Sequence, residues 1–318
     1  MVYSYERYLS SKKTVDDRSL NPRVFERVRN ELVMPTGVPL RILEVGAGIG
    51  TMVARLIDWG VLGLADYTFL DESADLLAHA RIWLSDWATR RGAMVESTSG
   101  ALRILHRGVD VTIRFEETEI REFLAGDPSA FRADLIIANA FLDLVELPST
   151  LGRLFQFLAP SGLYWLSINY DGESIFLPEH EHDQEFLRVY NLSMDQRKRA
   201  GRPAGDSKTG RHLFSHLHSL DATPIAAGAS DWVVYARDGS YPADEGYFLH
   251  HIVHTVEEEL LQHAEIPRAE LQEWGRARHA QIDRGELVFV AHQLDFSGRR
   301  DPGLALNSDR PSPKGMSL

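Results

Sequence analysis

Residues 40–51 read Leu40-Arg41-Ile42-Leu43-Glu44-Val45-Gly46-Ala47-Gly48-Ile49-Gly50-Thr51. A short apolar run, Ile42, Leu43 and Val45, gives way to three alternating glycines. Met52, Val53, Leu56 and Ile57 then recur at helical spacing. The stretch is therefore predicted to be a buried parallel strand, a glycine turn and the start of a helix. Glycine suits a backbone that must turn sharply and let a ligand approach closely. The N–H groups left unpaired at a helix N-terminus can receive polar ligand atoms. The spacing also discriminates between ligands. Dinucleotide folds favour G-x-G-x-x-G. Here the third glycine comes one residue early, and Thr51 stands where that pattern wants glycine.

Outward from the turn, Ala65 to Leu70 reads as a second strand ending at Asp71-Glu72. This lies about 20 residues past the turn, the offset at which nucleotide folds place an acid on the ribose hydroxyls. The competing reading of Asp71 is a cap for the helix predicted over Ser73 to Trp87. Leu102 to His106 and Val109 to Phe115 alternate around Arg107-Gly108, which predicts a hairpin whose second arm is the third core strand. The run Asp134 to Ala138 is nearly continuous in apolar residues, as in a strand buried on both faces, and it ends at Asn139. Leu151 to Leu158 reads as a helix, followed by the turn Ala159-Pro160-Ser161-Gly162 and a fifth strand over Leu163 to Ile168.

Glu44 before the turn, the E-x-G-x-G-x-G pattern, the acid after the second strand and the later L-x-P-x-G strand come in one order. That ordered set resembles the class I S-adenosylmethionine (SAM)-dependent methyltransferases of small-molecule type. The resemblance is close over Leu40 to Ile168 and topological beyond it. It implies an α/β, Rossmann-like fold: a mostly parallel seven-stranded sheet, helices on both faces and an antiparallel last strand. It implies SAM as cofactor, held by Glu44 at the methionine amino end, by the turn Gly46, Ala47, Gly48, Gly50 and Thr51, and by Asp71 and Glu72 at the ribose. An acid from the cluster after the third strand would meet the adenine; Glu119, followed by Ile120, fits best, Glu117 is second, and a charged loop is the alternative. Asn139 would face the methyl group. No Pro-Pro-Tyr follows it, so the N-methyltransferases that carry that motif are not matched.

Ligands in open α/β sheets bind at the carboxyl ends of the strands. The expected substrate-side, catalytic residues are therefore Asn139 and Asp143 after the fourth strand, Tyr170 after the fifth, and His254 on a late amphipathic helix thought to cover the same mouth. Asp143 as a helix cap is the competing reading. That helix, Tyr247 to Gln262, carries Phe248, Ile252, Val256 and Leu260 on one stripe. His250 and His254 share a face as in zinc proteases, but His251 stands where the required glutamate would be. Glu179-His180-Glu181-His182-Asp183 reads as a solvated loop rather than a metal site, with a base role for either histidine as the alternative. No metal is expected.

The composition sets bounds. The chain has 318 residues, 44% hydrophobic and 25% charged, as in ordinary globular proteins. A net charge of -12 disfavours nucleic acid and anionic membranes as partners. With no cysteine, thiol catalysis and cysteine-held metals are excluded. No secretory signal and no apolar run near the ~20 residues of a membrane helix is evident, so a cytoplasmic protein is expected. Oligomeric state is left open.

Three parts are expected: an N-terminal arm with a helix capped by Asn21-Pro22 (1–36), a methyltransferase domain (37–298) with a helical insertion at about 244–284, and a disordered tail (299–318). The arm, rich in Tyr3, Tyr5 and Tyr8, reads equally as a lid over the cofactor or as a solvated arm. The reading is a methyltransferase for a small acceptor whose accepting atom is open. A non-catalytic SAM-binding module, an NAD-linked oxidoreductase and an aminopropyltransferase are the alternatives.

Overall fold

The computed structural model describes residues 3–32 and 37–300. Two short helices, α1 (Tyr5–Ser11) and α2 (Lys13–Ser19), precede α3 (Pro22–Glu31). The α3 start follows from sequence chemistry: Asn21 caps it by accepting from the Arg23 and Val24 N–H groups, and Pro22 needs no donor there. Then come β1 (Leu40–Val45), α4 (Thr51–Asp58), β2 (Leu64–Asp71), α5 (Ala74–Arg90), β3 (Met94–Ser97), β4 (Ala101–His106), β5 (Val109–Glu117), α6 (Ile120–Ala125), β6 (Ala133–Asn139), α7 (Ser149–Leu154) and β7 (Leu158–Leu177). The second half runs α8 (Asp183–Gln196), the short strands β8 (Lys198–Arg199) and β9 (Arg202–Pro203), α9 (Thr209–Ser219), β10 (Pro224–Ala229), β11 (Trp232–Val234), α10 (Glu245–Leu260), α11 (Arg268–Asp283) and β12 (Val288–Arg299).

Ten strands form one sheet, in the order β10-β12-β7-β6-β1-β2-β5-β4-β3, with β11 also paired to β12. The five central strands, β5, β2, β1, β6 and β7, are mutually parallel. β12 runs antiparallel to β7, and the β3–β4 hairpin extends the other edge. Successive residues of β1 point to opposite faces, so Ile42 joins one core and Leu43 and Val45 the other. The Ile42 face packs Tyr67, Phe69, Trp165 and the buried sides of α3, α4, α5, α8, α10 and α11. The opposite face packs Ile136, Tyr164 and Phe296 with α6, α7 and α9. This is a Rossmann-like α/β fold with helices on both faces. Among the described residues, no helix is long and apolar enough to cross a membrane.

Chain order reverses next to β1. The chain moves from β1 outward to β2 and β5, then returns to β6 on the other flank. The ends of β1 and β6 therefore flank the topological switch point, where open α/β sheets bind ligands.

The structure departs from the sequence reading in two places. The fifth strand was expected to end at Ile168, with Asn169–Gly172 in a loop; β7 instead continues to Leu177 against β12. Positive φ at Ile168 (57°) and Gly172 (83°), with a register shift opposite Ala291 and Gln293, bends the strand without ending it. The polar stretch from Glu179 leads into α8, a helix the sequence reading left unassigned. Residues 301–318, nearly all of the expected tail, lie outside the described residues.

Candidate cofactor and substrate site

After Val45, Gly46 (φ 64°), Gly48 (φ 55°) and Gly50 (φ 79°) all adopt the left-handed region open to glycine. Gly46 is also a close approach: a Cβ there would stand 2.3 Å from Phe141 Cδ2, so the turn lies directly against the segment leaving β6. The Gly46 N–H donates to Leu70 O (2.9 Å), and the Gly48 N–H donates to Asp71 Oδ2 (2.9 Å). Asp71 Oδ1 accepts from the Ser73 N–H (3.0 Å). Asp71 thus ties the glycine turn to the start of α5, where Ser73 is the cap. Burial raises its pKa above the usual carboxylate range. Each carboxylate oxygen retains a second lone pair, so the acid can serve the backbone and still accept from a diol.

The other expected cofactor residues fall into different settings. Ala47 is buried inside the turn and Thr51 opens α4. Glu44 is 3% exposed and accepts from the Tyr67 O–H (2.8 Å). Burial pushes its pKa up to about 8. It sits in the sheet below the turn, where its carboxyl group is held mostly protonated at neutral pH. Glu72 is half-exposed and pairs with Arg199. Glu119 is the N-cap of α6, accepting from the Arg121 N–H (3.1 Å) and pairing with the Arg121 guanidinium. Ile120 is buried in the lower core. The structure therefore gives Glu119 a capping partner and shows no adenine-facing role for Ile120.

On the substrate side, Asn139 ends β6 and its Oδ1 accepts from Ser167 Oγ (2.9 Å). Ala140 turns the chain with φ 51°, which carries Phe141 over Gly46 and Asp143 into a cavity of about 150 Å³. Ile168 and Tyr170 of β7, Leu187, Tyr190 and Met194 of α8, Ile252, Thr255 and Val256 of α10, and Phe289, Ala291 and Gln293 of β12 wall this cavity. Tyr8 of α1 and Trp232 of β11 complete it. The lining is mainly apolar. Asp143 Oδ1 is buried with no hydrogen-bond partner. Burial pushes the Asp143 pKa up to about 6. The Tyr170 hydroxyl is engaged with Asn191 Oδ1 (3.0 Å) and Ser174 Oγ (3.1 Å).

His254 is not among the cavity-lining residues. Its ring stacks on Tyr3, with centroids 4.0 Å apart and planes 13° apart. α10 does wall the cavity, but with Ile252, Thr255 and Val256; His251 lies beside this face, its Nδ1 3.3 Å from Thr255 Oγ1. His251 stacks on Tyr8 (4.2 Å), and His250 Nδ1 lies 2.7 Å from His279 Nδ1. Of the neighbours of Tyr170, Asn169 is fully buried and donates to Leu294 O, and Asp171 accepts from Arg211, so neither faces the cavity.

The N-terminal helices close over both halves. A Cβ at Gly48 would stand 3.2 Å from Leu9 Cδ1 of α1. Tyr5, about half-exposed, has its phenol pKa raised by burial and then by the carboxylates of both Asp71 and Asp143.

The sequence reading missed Tyr190, Trp232 and Gln293. Leu187, Tyr190 and Met194 recur at i, i+3 and i+7, a helical stripe that was available in the sequence. Trp232 and Gln293 carry no such signal, since strand pairing alone brings them to the cavity.

No protein-family model and no curated protein sequence matches the chain. Among solved structures it is similar to a cyclopropane synthase from Mycobacterium tuberculosis, at 14% identity over 86% of this chain and 81% of that one, TM-score 0.43. It is similar to a geranyl diphosphate C-methyltransferase from Streptomyces coelicolor, solved with S-adenosylhomocysteine, at 10% identity over 87% of this chain and 76% of that one, TM-score 0.42. A SAM-dependent methyltransferase from Thiobacillus denitrificans, also solved with S-adenosylhomocysteine, shares 14% identity over 89% of this chain and 93% of that one, TM-score 0.42. Independently of those likenesses, the sheet order, the glycine turn after β1 and the acid ending β2 make this chain a Rossmann-like protein, and the β1–β6 switch point is its candidate ligand site.

Proposed function

We propose that the chain is a class I SAM-dependent methyltransferase acting on a small molecule. The observation that carries the reading is the meeting of three features at one switch point. They are the glycine turn with its short G-x-G-x-G spacing, the Asp71 carboxylate bonded to that turn, and a cavity lined by Ala140 and Asp143, on either side of the Phe141 that packs on Gly46. The glycine turn offers a surface without side chains, and Asp71 keeps acceptor capacity for a ribose diol. These residues fit SAM better than a dinucleotide, whose pyrophosphate favours the longer spacing.

SAM supplies an electrophilic methyl group on a sulfonium. The residues of this chain bind the acceptor in line with it, which lowers the entropic part of the barrier. A mainly apolar cavity walled by six separate elements and the segment after β6 holds a second small molecule and excludes water. That feature favours an enzyme over a module that only binds SAM. α1 and α2 act as the lid, since Leu9 packs on the glycine turn and Tyr8 on the cavity. The net charge of -12 suits neither nucleic acid nor an anionic membrane, and a cytoplasmic location belongs to the same reading.

Calorimetric titration of the full chain with SAM, S-adenosylhomocysteine and NADH tests the proposal. SAM and S-adenosylhomocysteine should bind at micromolar Kd, and NADH should give no heat. NADH binding without SAM binding would overturn it.

A further inference from the structure

We infer that the acceptor is an amine carried on an apolar group, recognised as its ammonium form by Asp143. This rests on the methyltransferase reading above and names the acceptor class for that site.

The cavity is mainly apolar, so each polar atom in its wall constrains what can enter. Hydroxyls there set no sign, because a tyrosine or serine hydroxyl both donates and accepts. The Gln293 amide, also with a buried unpartnered oxygen, sets none either, because its two ends can exchange. Asp143 is different. A carboxylate only accepts, its Oδ1 is buried, and among the described residues no other residue donates to it; within the carboxyl's own residue only the Asp143 backbone N–H bears on it. A buried acceptor left unpaired is costly, so the occupant of the cavity must bring a donor.

The nearby cations do not satisfy it. Arg197 and Lys12 influence Asp143 electrostatically, yet among the described residues neither forms an ion pair with it, and Lys12 Nζ is bound to Asp16 Oδ2 at 2.7 Å. The rings of Tyr8, Tyr170, Tyr190 and Trp232 line the same space. Their electron-rich faces attract a cation and also accept its hydrocarbon part. A carboxylic acid or phosphate ester would face Asp143 with like charge in a poorly solvated space, and a plain hydrocarbon would leave Oδ1 unpaired.

The chemistry balances without any further reactant. The bound ammonium gives one proton to Asp143 Oδ1. The freed nitrogen lone pair forms the bond to the methyl carbon, and the carbon–sulfur electron pair stays on sulfur. The products are an N-methylammonium and S-adenosylhomocysteine, and Asp143 returns its proton to water. Burial keeps the Asp143 pKa high enough for it to hold that proton briefly.

The test uses the full chain loaded with S-adenosylhomocysteine, and calorimetric titration with benzylamine, benzyl alcohol and benzoate as probes. Benzylamine should bind at least about tenfold more tightly than benzyl alcohol, and benzoate should not bind. In Asp143→Asn, which keeps the side-chain shape, the preference for the amine over the alcohol should disappear while S-adenosylhomocysteine binding stays. Equal binding of amine and alcohol, binding of benzoate, absence of amine binding to the loaded protein, or a preference that survives Asp143→Asn would each overturn the inference. Failure of S-adenosylhomocysteine itself to bind would instead sink the methyltransferase reading, so the two failures are distinguishable.

Discussion

The Asp71 carboxylate accepts from two backbone donors, one in the glycine turn and one at the start of α5. From the sequence alone, ribose acceptor and helix cap were competing readings of this residue. The geometry makes them compatible, because its two oxygens serve different donors and each has capacity left. The consequence is a double cost for Asp71→Ala. Two partly buried backbone N–H groups lose a charged acceptor, which should lower stability by about 1–3 kcal/mol. The turn also loses its tether, so SAM affinity should fall together with the melting temperature. Calorimetry and thermal unfolding on the same preparation decide this. A variant that keeps full stability and loses only affinity would show that the backbone bonds contribute nothing. Glu119 also serves as a helix cap, accepting from the Arg121 N–H at the start of α6.

At the scale of elements, legibility followed local pattern. β1, β2, β5 and β6 announced themselves by apolar runs ending in glycine, acid or asparagine, and the α3 cap by Asn21-Pro22. The continuation of β7 past Ile168 was not legible. Its residues 169–177 are polar in places and contain Gly172, and only pairing with β12, more than a hundred residues later, makes them a strand. His254 lies against Tyr3 rather than among the cavity-lining residues for a related reason. Helical spacing shows which residues share a face, but not which face meets the cavity, and packing turned Ile252, Thr255 and Val256 inward. The N-terminal helices were also beyond local pattern, since their order comes from distant partners. The Ser4 N–H donates to the Tyr247 hydroxyl (2.7 Å), Arg7 forks onto Asp244 (2.8 and 2.9 Å), and Thr14 Oγ1 donates to Glu245 Oε1 (2.7 Å). All three partners stand at or near the start of α10. The Arg7–Asp244 fork is exposed and individually weak, whereas the bonds to Tyr247 and Glu245 end on buried partners. Hydrogen–deuterium exchange over residues 5–19 should slow several-fold on S-adenosylhomocysteine binding, with little change in β3 and β4. Unchanged exchange in α1 and α2 would mean that they are a static arm.

For the molecule as a whole, buried ionisable groups of opposite sense divide the pH range. Burial holds Glu44 protonated, with a pKa pushed from 4.5 up to about 8, and Asp143 and Asp295 are pushed from 3.8 up to about 6. The unfolded chain releases these protons first, so the stability they add is complete in acid and is lost as pH rises toward the folded values. Histidine works the other way. Burial pushes His251 from 6.5 down to about 4, and His250 and His216 also lie below 6.5. Their stability is complete above 6.5 and is lost as pH falls. Between about pH 4.5 and 6 the two sets oppose each other. Above 6.5 the histidines finish titrating in the unfolded chain within about one pH unit, and Glu44 then remains as the group that loses stability. One proton over the 1.5 units to pH 8 corresponds to a fall of about 2 kcal/mol. The general repulsion of a chain with net charge -12 adds to that fall. Glu44→Gln separates the two contributions, because it keeps an acceptor for the Tyr67 hydroxyl and has no proton to lose. Urea unfolding at pH 6.5 and pH 8 should show a clearly smaller loss in Glu44→Gln than in the parent chain. In His251→Phe, which preserves the stack on Tyr8, stability should instead climb as pH drops from 6.5 to 5. Equal losses in Glu44→Gln and the parent would show that Glu44 is ionised in the folded protein at neutral pH, as a carboxylate reaching the methionine amino group would be.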